Sequence, residues 1–240
     1  MTREPSIYRL EATELRLGDG PLAFERANRA AIDAHWARLQ AKLPATWNGP
    51  FFLFDEVRFE GTTLSATARR TDYATFLYWR DHGRPAEVSH ITGTSMPVLA
   101  DGTLLAVRMA AHTVNGGQIY FPAGSLEEND FRDGRFDVTA SIARELAEET
   151  GLAFDAARAD EAHVAALDNG AWHIARRNRL AEDFDACLAA LDRHREATGE
   201  DEIEAAVAVR PGSAELGVLK PYARALAEWH FANPAFSCSG

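Results

Sequence analysis

Apolar and polar residues change period several times along this chain, and the changes mark its elements. Residues 7–17 alternate loosely and predict a strand. Residues 22–42 set Leu22, Phe24, Ala27, Ala31, Ala34 and Leu39, with Leu43 just beyond, roughly on one side of an amphipathic helix that Pro44 ends. Trp47-Asn48-Gly49-Pro50 is a turn signal. Residues 51–59 and 62–69 then predict a β-hairpin around Glu60-Gly61, and Thr71 or Asp72 can cap a short helix running through Trp79. The turn His82-Gly83-Arg84-Pro85 separates an N-terminal extension, residues 1–85, from a second unit, residues 86–240.

In that second unit, residues 98–100 and 103–109 flank Asp101-Gly102, a hairpin signal. Extended segments are predicted at 118–122, 162–168, 171–177 and 203–209. Helices are predicted at 137–150, 183–195 and 219–231. The chain contains no internal repeat and no low-complexity tract. Strands and helices mix without strict alternation, which favours an α+β fold or a mixed-sheet sandwich over a doubly wound one.

Composition narrows the function classes. With 46% hydrophobic and 25% charged residues, the chain is expected to pack a core. The net charge of −11 is expected to repel nucleic acid and anionic membranes, so neither is expected as a partner, although Arg176, Arg177 and Arg179 form a local basic run. An acidic enzyme handling an anionic substrate needs a cation between them. Two cysteines, Cys187 and Cys238, are too few for a disulfide framework or a thiolate zinc cluster. The N-terminus opens no signal peptide and no run reaches the ~20 apolar residues of a membrane span, so a soluble, cytoplasmic protein is expected.

The chemistry concentrates in Arg144-Glu145-Leu146-Ala147-Glu148-Glu149-Thr150-Gly151-Leu152. On a helix, Glu145, Glu148 and Glu149 stand at i, i+3 and i+4 and share one face, while Ile142, Ala143, Leu146 and Ala147 point roughly toward a core. Asp137 is a suitable N-cap and Gly151 a suitable terminator. Like charges at this spacing repel by a few tenths of a kcal/mol per pair, roughly, and only Arg144 lies near to relieve them. Solvated acidic faces are common, but a hard divalent cation such as Mg²⁺, which prefers oxygen ligands, gives this one a purpose.

The full spacing, R-E-(apolar)-x-E-E-x-G-(apolar), arises by chance at on the order of one position in 10^7. It resembles the core of the Nudix box, G-x5-E-x7-R-E-U-x-E-E-x-G-U with U apolar, and it follows Phe121-Pro122-Ala123-Gly124, which looks like the strand and loop leading into that box. The resemblance covers about residues 88–232 and implies an α/β/α sandwich around a mixed β-sheet, with the N-terminal extension packed on it. It implies Mg²⁺, with Mn²⁺ as a substitute, held by Glu145, Glu148 and Glu149, with Arg144 positioning the acids and the Gly124 carbonyl nearby. The implied reaction is hydrolysis of a nucleoside diphosphate linked to another moiety, by water attack on phosphorus. The extension is loosely similar to that of members that cleave nucleotide sugars such as UDP-glucose. A binding module that senses a nucleotide without cutting it is the alternative. An isoprenoid diphosphate isomerase would need a nucleophilic cysteine, and Cys187 falls in an expected surface helix.

The chain departs from the box in its first half. Phe136 stands where the family has its glutamate and Asp130 where it has its opening glycine. An insertion of about six residues within 125–135 accounts for this. Glu127 or Glu128 then replaces the glutamate, with Asp137 as a second candidate. The general base is expected in a late loop, where Glu200, Asp201, Glu202 and Glu204 cluster. Glu202 is the candidate taken, and Glu145 is an alternative. Gly124, Arg176 and Trp172 are the candidate substrate contacts, with His112, Asn115, Tyr120 and His173 behind them. The apolar side of the 22–42 helix must be covered, either by the domain or in a homodimer.

Overall fold

The structure, a computed structural model, describes residues 4–235. The expected first strand is two: β1 (Ser6–Leu10) and β2 (Ala12–Leu17) are parted by Glu11 and enter different sheets. The reason lies in Leu10 and Leu15, which are five residues apart and so would face opposite ways on one straight strand. Both are fully buried in the same cluster, and the chain must turn at Glu11 to bring them together.

The helix α1 (Ala23–Lys42) forms where expected, but its buried stripe differs. Phe24, Ile32 and His35 go inward while Ala27, Ala31 and Ala34 are exposed. Alanine has little surface to bury, so the larger side chains choose the face. The strands β3 (Pro50–Glu60) and β4 (Thr63–Asp72) make the expected hairpin. Asp72 then caps α2 (Tyr73–Asp81), accepting from the Thr75 amide at 2.8 Å.

There follow β5 (His90–Val98), β6 (Leu104–Met109), β7 (Ile119–Tyr120), β8 (Ala123–Ser125), a 3-10 turn at Glu128–Asp130, β9 (Phe131–Arg132) and β10 (Arg135–Phe136). The remaining elements are α3 (Val138–Thr150), β11 (His163–Asp168), β12 (Ala171–Arg179), α4 (Phe184–Thr198), β13 (Ile203–Val209), α5 (Ala214–Val218) and α6 (Pro221–Ala232). None of the helices is long and apolar enough to cross a membrane.

The fold is α+β with two mixed sheets. The larger has the order β1-β11-β12-β5-β6-β13, with β7 on β6 and β8 on β5, and only β12 and β5 run parallel. Alternation along its strands feeds two cores. Met96, Val164, Ala166 and Ala175 meet Tyr222 and Leu226 of α6 on one face. Ile91, Ala165 and Ile174 meet Val138 and Ile142 of α3 on the other. The smaller sheet, β3-β4-β2-β10-β9, joins that second core through Leu15, Phe52 and Phe54. The loop between β8 and α3 has a structural destination: its hairpin β9–β10 is the edge of the smaller sheet, with Arg135 paired to Arg16. Phe136 is buried there, its ring 5.0 Å from that of Phe52.

Cys187, expected on a surface helix, is buried against Leu146 and Leu152 on the inner side of α4, and burial raises its pKa to about 11. Cys238 lies outside the described residues.

His90 is buried beside Phe51 and Phe76, and burial holds it neutral by bringing its pKa down to about 3. A depressed histidine contributes stability that is complete above the unfolded value near 6.5 and is lost as pH falls toward the folded one. Chemical denaturation at pH 7 and pH 4 should therefore show a larger loss of stability on acidification for the wild type than for His90→Asn. Equal losses would mean that His90 is protonated without cost.

Candidate active site

The helix α3 begins at Asp137, whose carboxylate accepts from the Ala140 amide at 3.0 Å, and ends at Gly151 with φ 70°. That left-handed conformation suits glycine and stops the helix directly after the acidic face. Asp137 is thus a cap. Ile142 and Leu146 are fully buried, Ala143 is partly so and Ala147 is exposed, so the inward stripe is narrower than the sequence implied.

The three glutamates are not equivalent. Glu148 is exposed, whereas the Glu145 side chain is only 11% exposed and lies over β8. A Cβ on Gly124 would collide with the Glu145 carboxylate, so glycine there is what lets that carboxylate lie against β8. Burial, only partly offset by Arg144, raises the pKa of Glu145 to about 7. Glu149 is also raised well above its ordinary value, by burial and then by the charges of Glu145 and Glu202. The Ala123 amide, which donates to its carboxylate, pulls the other way. Its Oε2 is shut off from solvent and has no hydrogen-bond partner.

Arg144 gathers the acids. Its Nη1 lies 2.7 Å from Glu145 Oε1 and donates to Glu148 Oε2 at 2.9 Å. Its Nη2 donates to Asp130 Oδ2 at 3.0 Å and to the Ser125 carbonyl at 3.3 Å. Burial alone would lower the pKa of this guanidinium, but the hydrogen bond to Asp130 and the charge of Glu145 raise it above its ordinary value.

The sequence reading missed Asp130. Its side chain is 2% exposed and sits at the end of the inserted 3-10 turn, where it also accepts from the Glu127 amide. Of the residues weighed for the missing box glutamate, Glu127 is 3.8 Å from Arg144 and Glu128 turns away to Arg70 at 2.6 Å. Among the acids of this loop, Asp130 lies nearest the arginine, at 3.0 Å. Read without a gap it occupies the box glycine's position, so nothing in the spacing pointed to it.

Glu200, Asp201 and Glu202 stand across from α3. With Glu127, Arg144, Glu145, Glu148 and Glu149 they line an acidic cleft of about 430 Å³. Burial, then Glu200 and Asp201, raise the pKa of Glu202. The cleft therefore unites Arg144, all three helix glutamates and Glu202. Trp172 and Arg176 lie elsewhere. The Trp172 ring is buried 5.2 Å from Tyr8, and Arg176 donates to the Asp160 carbonyl at 2.6 Å and stands over Phe154. Neither lines the cleft or the pocket beside Gly124. Arg177 is buried against Asp160, with the Asn233 and Ala235 carbonyls also accepting from it. His112 is 3.6 Å from Asp201 at the rim.

As placed, Glu145 and Glu148 both turn to Arg144, and among the described residues no three acidic, histidine or cysteine side chains form a coordinating cluster. The donors nevertheless fit a hard divalent cation. All are carboxylate oxygens, and the buried Glu149 Oε2 lacks a partner, which is costly for a charged group left so.

A helix carrying R-E-L-A-E-E-T-G-L, its glutamates gathered by the arginine beside a glycine that admits them, decides the resemblance. The chain is Nudix-like. No family model matches it, and no curated protein does. Solved structures that it resembles include the MutT protein of Methanosarcina mazei Go1, at 18% identity over 61% of this chain and 95% of that one, with TM-score 0.41. A NUDIX hydrolase of Nitrosomonas europaea has 15% identity over 62% and 93%, with TM-score 0.43. The NUDIX domain of Shewanella oneidensis NrtR, solved with ADP ribose, has 13% identity over 61% and 89%, with TM-score 0.44.

The Asp130–Arg144 pair carries a prediction. Asp130→Ala would take from Arg144 its buried two-point partner and leave it Glu145, Glu148 and the Ser125 carbonyl, at a cost on the order of 2 kcal/mol. Asp130→Ala should lose that much in urea denaturation, and Glu128→Ala, on the exposed side of the same loop, should lose under about 1 kcal/mol. Equal small losses would show that Arg144 is anchored by its helix neighbours alone.

Proposed function

We propose that this Nudix-like chain is a Mg²⁺-dependent hydrolase of a nucleoside diphosphate linked to another moiety, cleaving the diphosphate by water attack. The observation that carries the reading is the acidic cleft, which Glu202 lines together with Glu145, Glu148 and Glu149, whose buried Oε2 has no hydrogen-bond partner. Glu145, Glu148 and Glu149 are the residues that would hold the cation, with Mn²⁺ as a substitute. When bound, the cation supplies charge neutralisation for the diphosphate and lowers the pKa of water.

The chain's own residues supply the rest. Asp130 and the Ser125 carbonyl fix Arg144, and Arg144 fixes Glu145 and Glu148, so the carboxylates are oriented before substrate arrives. The Ala123 amide orients Glu149. Glu202 takes the proton of the attacking water. Its carboxylate is a stronger base than an ordinary glutamate, because burial and its acidic neighbours disfavour the charged form.

A module that binds a nucleotide without cutting it is the second reading, and Phe136 in place of the box glutamate is the observation that favours it. Both are tested by incubating the protein with Mg²⁺ and UDP-glucose, ADP-ribose, NADH, diadenosine polyphosphates, nucleoside triphosphates or coenzyme A. One compound should turn over, and Glu149→Gln should abolish that turnover. No turnover of any compound, with Mg²⁺ or Mn²⁺, would replace the hydrolase by the sensor.

The base has its own test. Loss of a general base costs ~10²-fold or more in kcat. Glu202→Gln should show that loss with KM changed little, and a decrease of less than about tenfold would assign the proton to another group, Glu145 first.

A further inference from the structure

Across Gly124 from the acidic cleft lies a pocket of about 410 Å³ of the opposite character. Its walls come from two parts of the chain. The N-terminal segment gives Phe51, Phe76, Arg80 and Arg84, and the later part gives Lys220 and Asp168. Three cations thus line one pocket against a single carboxylate, in a chain of net charge −11.

Two of these cations, Lys220 and Arg84, have no carboxylate within ion-pair distance among the described residues. Lys220 Nζ donates to the Asn115 side-chain oxygen at 3.4 Å and stands 4.9 Å over the Tyr120 ring. Arg84 donates to the Asp168 and Asn169 carbonyls at 3.4 and 3.5 Å and covers the face of Trp79. Arg80 alone has a close carboxylate, Asp81 at 2.8 Å, which His35 shares at 3.2 Å. Burial and then the charges of Arg80 and Arg84 bring the Lys220 pKa down to about 8, against the pull of Asp168. A buried ammonium beside two guanidiniums is a cost to the fold that a bound anion would relieve.

The rest of the wall is aromatic. Phe51 and Phe76 stack at 4.7 Å, which presents flat apolar surface beside the cations. Cations interleaved with rings suit a ligand that is itself planar at one end and anionic at the other.

We propose that this pocket takes the end of the substrate that is not attacked, as a planar ring bearing a phosphate. Lys220, Arg80 and Arg84 receive the phosphate, and the Phe51–Phe76 wall receives the ring. The N-terminal segment is then the part of the chain that selects the substrate. That this ligand is one end of the hydrolysed molecule rests on the proposed function. That the pocket binds a nucleotide does not.

The test is therefore run without metal. Full-length protein in EDTA is titrated calorimetrically with AMP, UMP, adenosine, uridine and orthophosphate. At least one nucleotide should bind, at least about tenfold more tightly than its nucleoside and than orthophosphate. Lys220→Met and Arg80→Gln should each weaken it about tenfold, and Glu128→Ala, which lines neither pocket, should leave it within about twofold. Arg80 is part-exposed on α2, so its variant tests the idea even if Lys220→Met melts early. No nucleotide binding by the wild type would overturn the proposal, as would both variants binding like the wild type, or a nucleoside or orthophosphate binding as tightly as the nucleotide. Because metal is chelated, any of these failures leaves the acidic cleft untouched, and failure of the hydrolysis panel leaves this result standing.

Discussion

One ion pair organises the candidate site. Three glutamates at i, i+3 and i+4, two of them with buried carboxylates, are unfavourable by themselves, and Arg144 is the cation that lets the helix keep them. A guanidinium so enclosed needs a fixed counter-charge of its own. Asp130 provides it from outside the helix, in a planar two-point contact that fixes direction as well as charge. The positions of Glu145 and Glu148 follow from that contact, and Gly124 leaves room for the Glu145 carboxylate against β8.

The same pair explains why the first half of the box looks damaged. The position where the family has a glutamate is roofed by the N-terminal sheet, and Phe136 fills it among Phe52, Phe54 and Phe131. A carboxylate there would be buried among rings without a partner. The acid that holds the arginine stands six residues before Phe136, on a turn that the β9–β10 hairpin follows.

What could be read from the sequence was what is encoded locally. The helix α3, its cap and its stop depend on spacing within one segment, and the i, i+3, i+4 rule put the glutamates together correctly. The β3–β4 hairpin was visible for the same reason, and the strands β11 and β12 were visible as extended segments. Features set by distant partners were not. The break at Glu11 is dictated by which sheets Leu10 and Leu15 must reach, and the inward face of α1 is dictated by α2, which alanines cannot announce. The roles of Arg80, Arg84 and Lys220 depend on α2 lying beside the segment that precedes α6, and no spacing along the chain carries that information. Trp172 and Arg176 looked suitable by residue type and were drawn instead into packing and backbone contacts.

The split at Glu11 reaches beyond the site. β1 covers the outer edge of β11, while β2 fills the gap between β4 and β10, with one residue joining them. The chain's first strands are therefore a stitch through both sheets. Trimming them would bare a strand edge on the larger sheet and leave the inserted hairpin without its neighbour, so damage at one terminus would invite intermolecular strand pairing and loosen Asp130 together.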